Sequence, residues 1–164
     1  MKPVNEAGGN FTFRLATTDD AAIITYHRRA MFADMGHAAE VATLDQMAVA
    51  FEGWVRRKLE QGLYIGFFME NAEGQVVAGA GCWIMEWPPH LLDASAERAY
   101  ILNVYTEPEY RGRGLAKQLM QSVLDFCEAR HLGVITLHAS QFGRPLYEQL
   151  GFTQSNEMRL VRPT

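Results

Sequence analysis

The sequence predicts an α/β fold built on a mixed sheet, and three observations carry that reading. Phe11, Phe13 and Leu15 alternate with Thr12, Arg14 and Ala16, the period-two signature of a strand. Two apolar runs, 63–69 and 75–86, flank the turn Asn71-Ala72-Glu73-Gly74 and read as an antiparallel hairpin. A strand of buried type at 99–106 is followed by a helical stripe and a short strand at 134–138. Such a βαβ crossover requires a parallel pair.

The elements follow in order. Residues 1–10 are polar, contain Gly8-Gly9, and read as a loose tail before one domain over 11–164. After the first strand, Thr17-Thr18-Asp19-Asp20 offers N-cap residues for a helix with Ile23, Ile24, His27 and Met31 on one face. Thr43 with Gln46 three residues on is a capping-box pattern, opening a helix that carries Met47, Phe51, Trp54, Val55 and Leu59. The hairpin comes next, with Gly79 and Gly81 marking a bulge. Pro88-Pro89 puts a loop at 87–97. After the strand at 99–106, Leu115, Leu119, Met120, Val123 and Cys127 form an apolar stripe, and Gly133 is expected to close that helix. A short strand, a helix over 144–150 ended by Gly151, and a final strand over 152–161 complete the order β-α-α-β-β-β-α-β-α-β.

Composition narrows the function classes. With 164 residues, 48% hydrophobic and 21% charged, the chain is neither disordered, collagenous nor a coiled coil. No apolar run approaches the ~18 residues of a membrane span, and the first ten residues lack a signal-peptide pattern. A net charge of −4 argues against nucleic-acid binding. Cys82 and Cys127 are far apart and in no metal-like spacing, so no metal is expected. Reduced, inert core thiols in a cytoplasmic protein are the expectation.

The stretch 104–116 carries the chemistry. It is a buried strand, a glycine-rich turn, then the start of an amphipathic helix. The first amides of a helix have no intrahelical acceptor, and with the helix dipole they form an anion site. Gly112 and Gly114 admit a phosphate to the backbone, and Arg111, Arg113 and Lys117 add charge. A P-loop string is absent. A dinucleotide fingerprint from Gly112 fails because Lys117 fills the sixth position, and one from Gly79 fails at Ile84.

Arg111-x-x-Gly114-x-Ala116 resembles the Gln/Arg-x-x-Gly-x-Gly/Ala loop of the GNAT superfamily of acetyl-CoA-dependent N-acetyltransferases. Leu146-Tyr147-Glu148-Gln149-Leu150-Gly151-Phe152 is similar to that family's Leu-Tyr-x-x-Leu-Gly-Phe segment. The resemblance implies a GNAT fold, acetyl-CoA as cofactor and an amine of a small molecule or peptide as acceptor. It implies that Val104, Tyr105 and Thr106 pair with the pantetheine arm, while Arg111, Gly112, Arg113, Gly114, Leu115 and Ala116 cradle the pyrophosphate. Ser140 would touch the pantetheine, and Tyr147 would protonate the leaving thiolate. A fixed N–H donor for the oxyanion and a phenol for the thiolate suit that chemistry.

Asn103, Glu86 and Trp83 are candidates for the acceptor side. Asn103 either bonds a bulge or faces the amine. His138 reads as a local hydrogen-bonder near the pocket. Arg98 stands where some family members carry a general base, and neighbouring Glu97 would face the other side of the strand. Either water removes the amine proton or the amine arrives neutral. No activated Cys or Ser nucleophile is evident, so direct attack in a ternary complex is expected. The competing reading is a non-catalytic acyl-CoA-binding sensor or interaction module. The apolar segment 152–161 needs a partner at a sheet edge, which suggests a homodimer.

Overall fold

A computed structural model describes residues 9–35 and 40–163. The tail reading of residues 1–10 falls mostly outside them. Five strands form one sheet in the order β1 (Thr12–Leu15), β2 (Tyr64–Glu70), β3 (Val76–Glu86), β4 (Glu97–Thr106) and β5 (Ile135–Leu137). The first three pairings are antiparallel and β4–β5 is parallel, as the hairpin and the crossover require.

Helices cover both faces. On one lies α3 (Leu115–Ala129), whose Leu115, Leu119, Met120, Val123 and Cys127 are all buried against Phe67, Ala78 and Ile101 of the sheet. Burial of each large apolar side chain there contributes ~1.5–3 kcal/mol. On the other lie α1 (Ala21–Asp34) and α2 (Val41–Glu60), which bury Ile24, Phe51 and Val55 against Tyr64 and Phe68. The Cys82 and Cys127 thiols meet 3.9 Å apart inside the first core.

Local signals acted with some displacement. Thr17 and Asp20 do form a capping box, but around a 3-10 turn, Thr18–Asp20, that leads into α1. Thr43 does not open α2; the helix starts at Val41 and Thr43 sits in its first turn, donating its N–H to Glu40 O at 2.9 Å. Gly133 does not close α3. His131 takes the left-handed turn there (φ 59°), while Gly133 lies against the Asp93 carboxylate, where a Cβ would come within 2.8 Å of Oδ2. The predicted strand over 152–161 is not formed. That segment has no regular structure and leaves Met158, Leu160 and Val161 exposed. Its apolar residues resemble a strand in composition, but a strand requires a paired neighbour, and among the described residues β5 pairs only with β4. A short helix α4 (Arg144–Gln149) precedes it.

Candidate active site

The site begins at an irregularity of β4. Gly79 pairs with Tyr105 and Gly81 with Leu102, so Asn103 and Val104 together oppose Ala80. This is a β-bulge. Asn103 takes φ 57°, a left-handed conformation that asparagine tolerates better than most residues. Its side chain fixes the bulge: Nδ2 donates to the Tyr64 hydroxyl at 3.0 Å, and Oδ1 accepts from Arg28 Nη1 at 2.9 Å. The glycines opposite make room. A Cβ on Gly79 would meet His27 Nδ1 at 2.8 Å, and one on Gly81 would fall on the Tyr64 hydroxyl.

Past the bulge the sheet opens. β5 pairs with β4 at Ala99, Tyr100 and Ile101, so among the described residues Leu102–Thr106 has no strand neighbour on that side. A groove of about 710 Å³ forms there, lined by Val104, Tyr105 and Thr106 on β4 and by Ser140, Leu146 and Tyr147 across from them. Gly112, Gly114, Leu115, Ala116 and Lys117 line it at the N-terminus of α3. Gly112 and Gly114 both have φ 76°, and a Cβ on either would meet no protein atom within 4 Å. The first-turn amides of α3 therefore front open space, and the space suits an anion.

The charges around this loop are partly committed. Arg111 donates through Nε to Thr106 O at 2.9 Å and pairs through Nη2 with Asp34 at 2.6 Å. Asp34 holds the Arg111 guanidinium firmly charged. Arg113 donates to Glu109 O at 3.2 Å, lies 5.2 Å over the Tyr110 ring, and is not part of the groove lining. Lys117 lines the groove beside the first turn of α3 and forms no ion pair among the described residues. Ser140 lines the groove, but its Oγ accepts the Gly143 N–H at 3.0 Å and so also shapes the turn into α4. Met31, Asp34 and Met35, from the end of α1, complete the wall. The sequence reading missed them, although Met31 and Asp34 follow His27 at helical spacing.

A second cavity, about 760 Å³, lies beside the groove. Trp83, Arg98, Tyr100, His138 and Tyr147 are among its walls. Trp83 packs edge-on against Trp54 at 5.2 Å, and the Arg98 guanidinium lies 4.1 Å over the Trp87 ring. Tyr100 and His138 share a hydrogen bond between the phenol and Nδ1. Tyr147 is the one described residue that lines both cavities. Its hydroxyl makes no hydrogen bond among the described residues, and burial pushes its pKa above the ordinary phenol value. Of the acceptor-side candidates, Trp83 lines this cavity. Glu86 does not: it is exposed at the end of β3, opposite Glu97, and neither carboxylate lines either cavity. Asn103 holds the bulge rather than lining a wall. The described residues contain no cluster of three or more metal-binding side chains.

The sequence model of the acetyltransferase (GNAT) family matches residues 25–152. The chain belongs to the GNAT acetyltransferase family. A glucosamine 6-phosphate N-acetyltransferase of Trypanosoma brucei brucei is 28% identical over 127 residues, 77% of this chain and 83% of that protein. A GCN5-related N-acetyltransferase from Ralstonia eutropha JMP134 superposes with a TM-score of 0.87 at 34% identity, over 93% of this chain and 99% of the other. A predicted acetyltransferase from Clostridium acetobutylicum, solved with acetyl-CoA, gives 0.84 at 25% identity over 93% and 96%. The GNAT fold and an acyltransferase activity follow, and acetyl-CoA is the cosubstrate of this family. The open glycine cradle at the start of α3 fits its pyrophosphate. No helix among the described residues is long and apolar enough to cross a membrane.

Proposed function

We propose that this GNAT chain transfers the acetyl group of acetyl-CoA to a primary amine by direct attack in a ternary complex. The observation that carries the reading is the position of Tyr147 in the wall between the two cavities, with a hydroxyl that has no hydrogen bond among the described residues. Acetyl-CoA supplies the activated acetyl thioester. Gly112, Gly114, Leu115 and Ala116 present backbone N–H groups to its phosphates. On the flank away from β3, Val104–Thr106 offer strand backbone to the pantetheine, with Ser140 opposite. A backbone N–H near the bulge donates to the acetyl carbonyl, where negative charge grows during attack. The neutral amine forms the C–N bond at the acetyl carbonyl and its nitrogen then releases a proton to water; as the C–S bond breaks, Tyr147, kept protonated by burial, gives its proton to the departing thiolate and regains one from water. The amine approaches from the second cavity, past Trp83 and Tyr100. The trypanosomal relative, named for glucosamine 6-phosphate, supports a small-molecule amine.

Tyr147→Phe tests this reading, because it removes only the hydroxyl. With chemistry rate-limiting, kcat should fall by roughly 10²–10⁴-fold, while acetyl-CoA affinity by calorimetry stays nearly constant. A Phe variant that turns over at the wild-type rate reduces Tyr147 to a packing residue.

A further inference from the structure

One face of the sheet forms the floor of the second cavity. Trp83 and Met85 of β3 pair with Tyr100 and Arg98 of β4, Tyr100 pairs in turn with Thr136 of β5, and all five line the space. Alternation along β4 puts Arg98 and Tyr100 on the same face. Three guanidiniums line the cavity, those of Arg98, Arg144 and Arg159, against the two carboxylates of Glu148 and Glu157. Arg144 is paired with Glu148 at 4.0 Å. Arg159 and Glu157 both approach Nε2 of His138, at 2.5 and 3.6 Å. The Arg98 side chain is different. It makes no hydrogen bond or ion pair with any described residue, and its guanidinium nitrogens stay open to solvent. Asp93 feels its charge, but that carboxylate is not part of the cavity lining and accepts the N–H groups of Ser95 at 2.8 Å and Gly133 at 3.0 Å.

What holds Arg98 is a ring. Its guanidinium carbon lies 4.1 Å over Trp87, which also lines the cavity. Such packing occupies the face of the planar group and leaves its edges, which carry the N–H donors, for a carboxylate or phosphate. The chain as a whole carries a net charge of −4, yet the guanidiniums of this wall outnumber its carboxylates. An anion is therefore attracted here, and a second ammonium group repelled. On β4 the cofactor groove begins at Val104, and the bulge and Tyr100 separate it from Arg98. At ~3.3 Å per strand residue, an anion on Arg98 and an amine at the groove are on the order of 10 Å apart.

We propose that Arg98 binds an anionic group, carboxylate or phosphate, at the far end of the acceptor, so that the acceptor class is elongated amines bearing a negative charge. This deepens the acetyl-transfer reading above and rests on it. The amine end lies toward Tyr147, which lines both cavities, and the anionic end toward the guanidinium on Trp87. A polyamine, with ammonium groups at both ends, is the wrong charge for this wall.

The test uses matched amines with and without the anion: 6-aminohexanoate with its amide, glucosamine 6-phosphate with glucosamine, and glycine with glycinamide as a pair too short to reach, with spermidine as the polycation. Release of free CoA is measured for wild type, Arg98→Gln and Arg98→Lys. Wild type should favour the anionic member of at least one of the two longer pairs, and the pair that responds tells carboxylate from phosphate. Arg98→Gln should lower kcat/KM for that member by about tenfold or more, mainly through KM, and leave the neutral member within about threefold. Arg98→Lys, which keeps the charge and loses the fork, should fall between them, and it serves alone if the Gln variant does not fold. Equal losses for both members would show that Arg98 only packs the wall and would overturn the proposal. So would the absence of charge preference in the longer pairs, or faster turnover of spermidine than of any anionic amine. If no amine is acetylated, acetyl transfer itself fails, and calorimetry with the same compounds then decides the anion site. Binding of an anionic member of a longer pair, lost in Arg98→Gln, supports it; no binding, or binding unchanged in Arg98→Gln, refutes it.

Discussion

Gly114 concentrates the cofactor argument at a single Cα. Its φ of 76° is one that a residue with a Cβ adopts at a penalty of ~1–2 kcal/mol, and the Cβ would project into the open cradle. Gly114→Val should therefore lower stability modestly and acetyl-CoA affinity severely. Displacing one hydrogen bond to a charged phosphate removes ~1.5–3 kcal/mol, so a calorimetric loss of about tenfold or more is expected. Unchanged affinity in a folded variant would move the pyrophosphate elsewhere. At Tyr147 the expectation concerns pH. Burial raises this phenol, so the donor form persists through neutral pH and is lost only as pH rises past the ordinary value near 10. A kcat profile in which Tyr147→Phe abolishes a fall between pH 6 and 8 would contradict that role. The loop residues were legible in the sequence because few patterns place a strand, two glycines and a helix start so close together. Arg28 and Asn103 were not legible as a pair. They are 75 residues apart, and only the bulge brings them together.

The pairing of α1 with β4 has its own signature in His27. Its ring lies 5.1 Å from that of Tyr105, and Nε2 is buried with no partner among the described residues. Burial pulls its pKa from 6.5 to about 4. The unfolded chain then binds the proton more readily than the folded one between those values. The stability this neutral histidine maintains is complete above pH 6.5, shrinks as pH falls, and is lost by about pH 4. The difference of ~2.5 units corresponds to about 3 kcal/mol. Denaturant titrations at pH 7 and pH 4 should show a smaller loss for His27→Leu than for wild type by about that amount; equal losses would mean that His27 does not titrate in this range. The elements themselves were mostly legible, since the hairpin, crossover and α3 stripe each follow a period imposed by one buried face. Residues 152–161 misled because Phe152, Met158, Leu160 and Val161 suggest a strand by composition, whereas a strand also needs a neighbour to bond. The bulge at Asn103 was half legible: Gly79 and Gly81 signalled an irregular strand, but its register depends on β4.

At the scale of the molecule, the open flank of β5 and the exposed Met158, Leu160 and Val161 are adjacent liabilities of the C-terminal region. We expect the homodimer inferred from the sequence to cover them, even though the segment is not a strand. Light scattering at high micromolar concentration should give twice 18.5 kDa, and removing residues 153–164 should return the monomer; a wild-type monomer at that concentration would contradict this. In the proposed reaction the acetyl donor and the amine occupy two cavities that meet at Tyr147. The most direct measurement is free-CoA release across a broad panel of primary amines, with the product identified by mass. Amine-dependent CoA release matched by an N-acetylated product is the expected result. Tight acetyl-CoA binding with no turnover of any amine would contradict it, and would instead mark the chain as an acyl-CoA-binding sensor that retains the fold without the reaction.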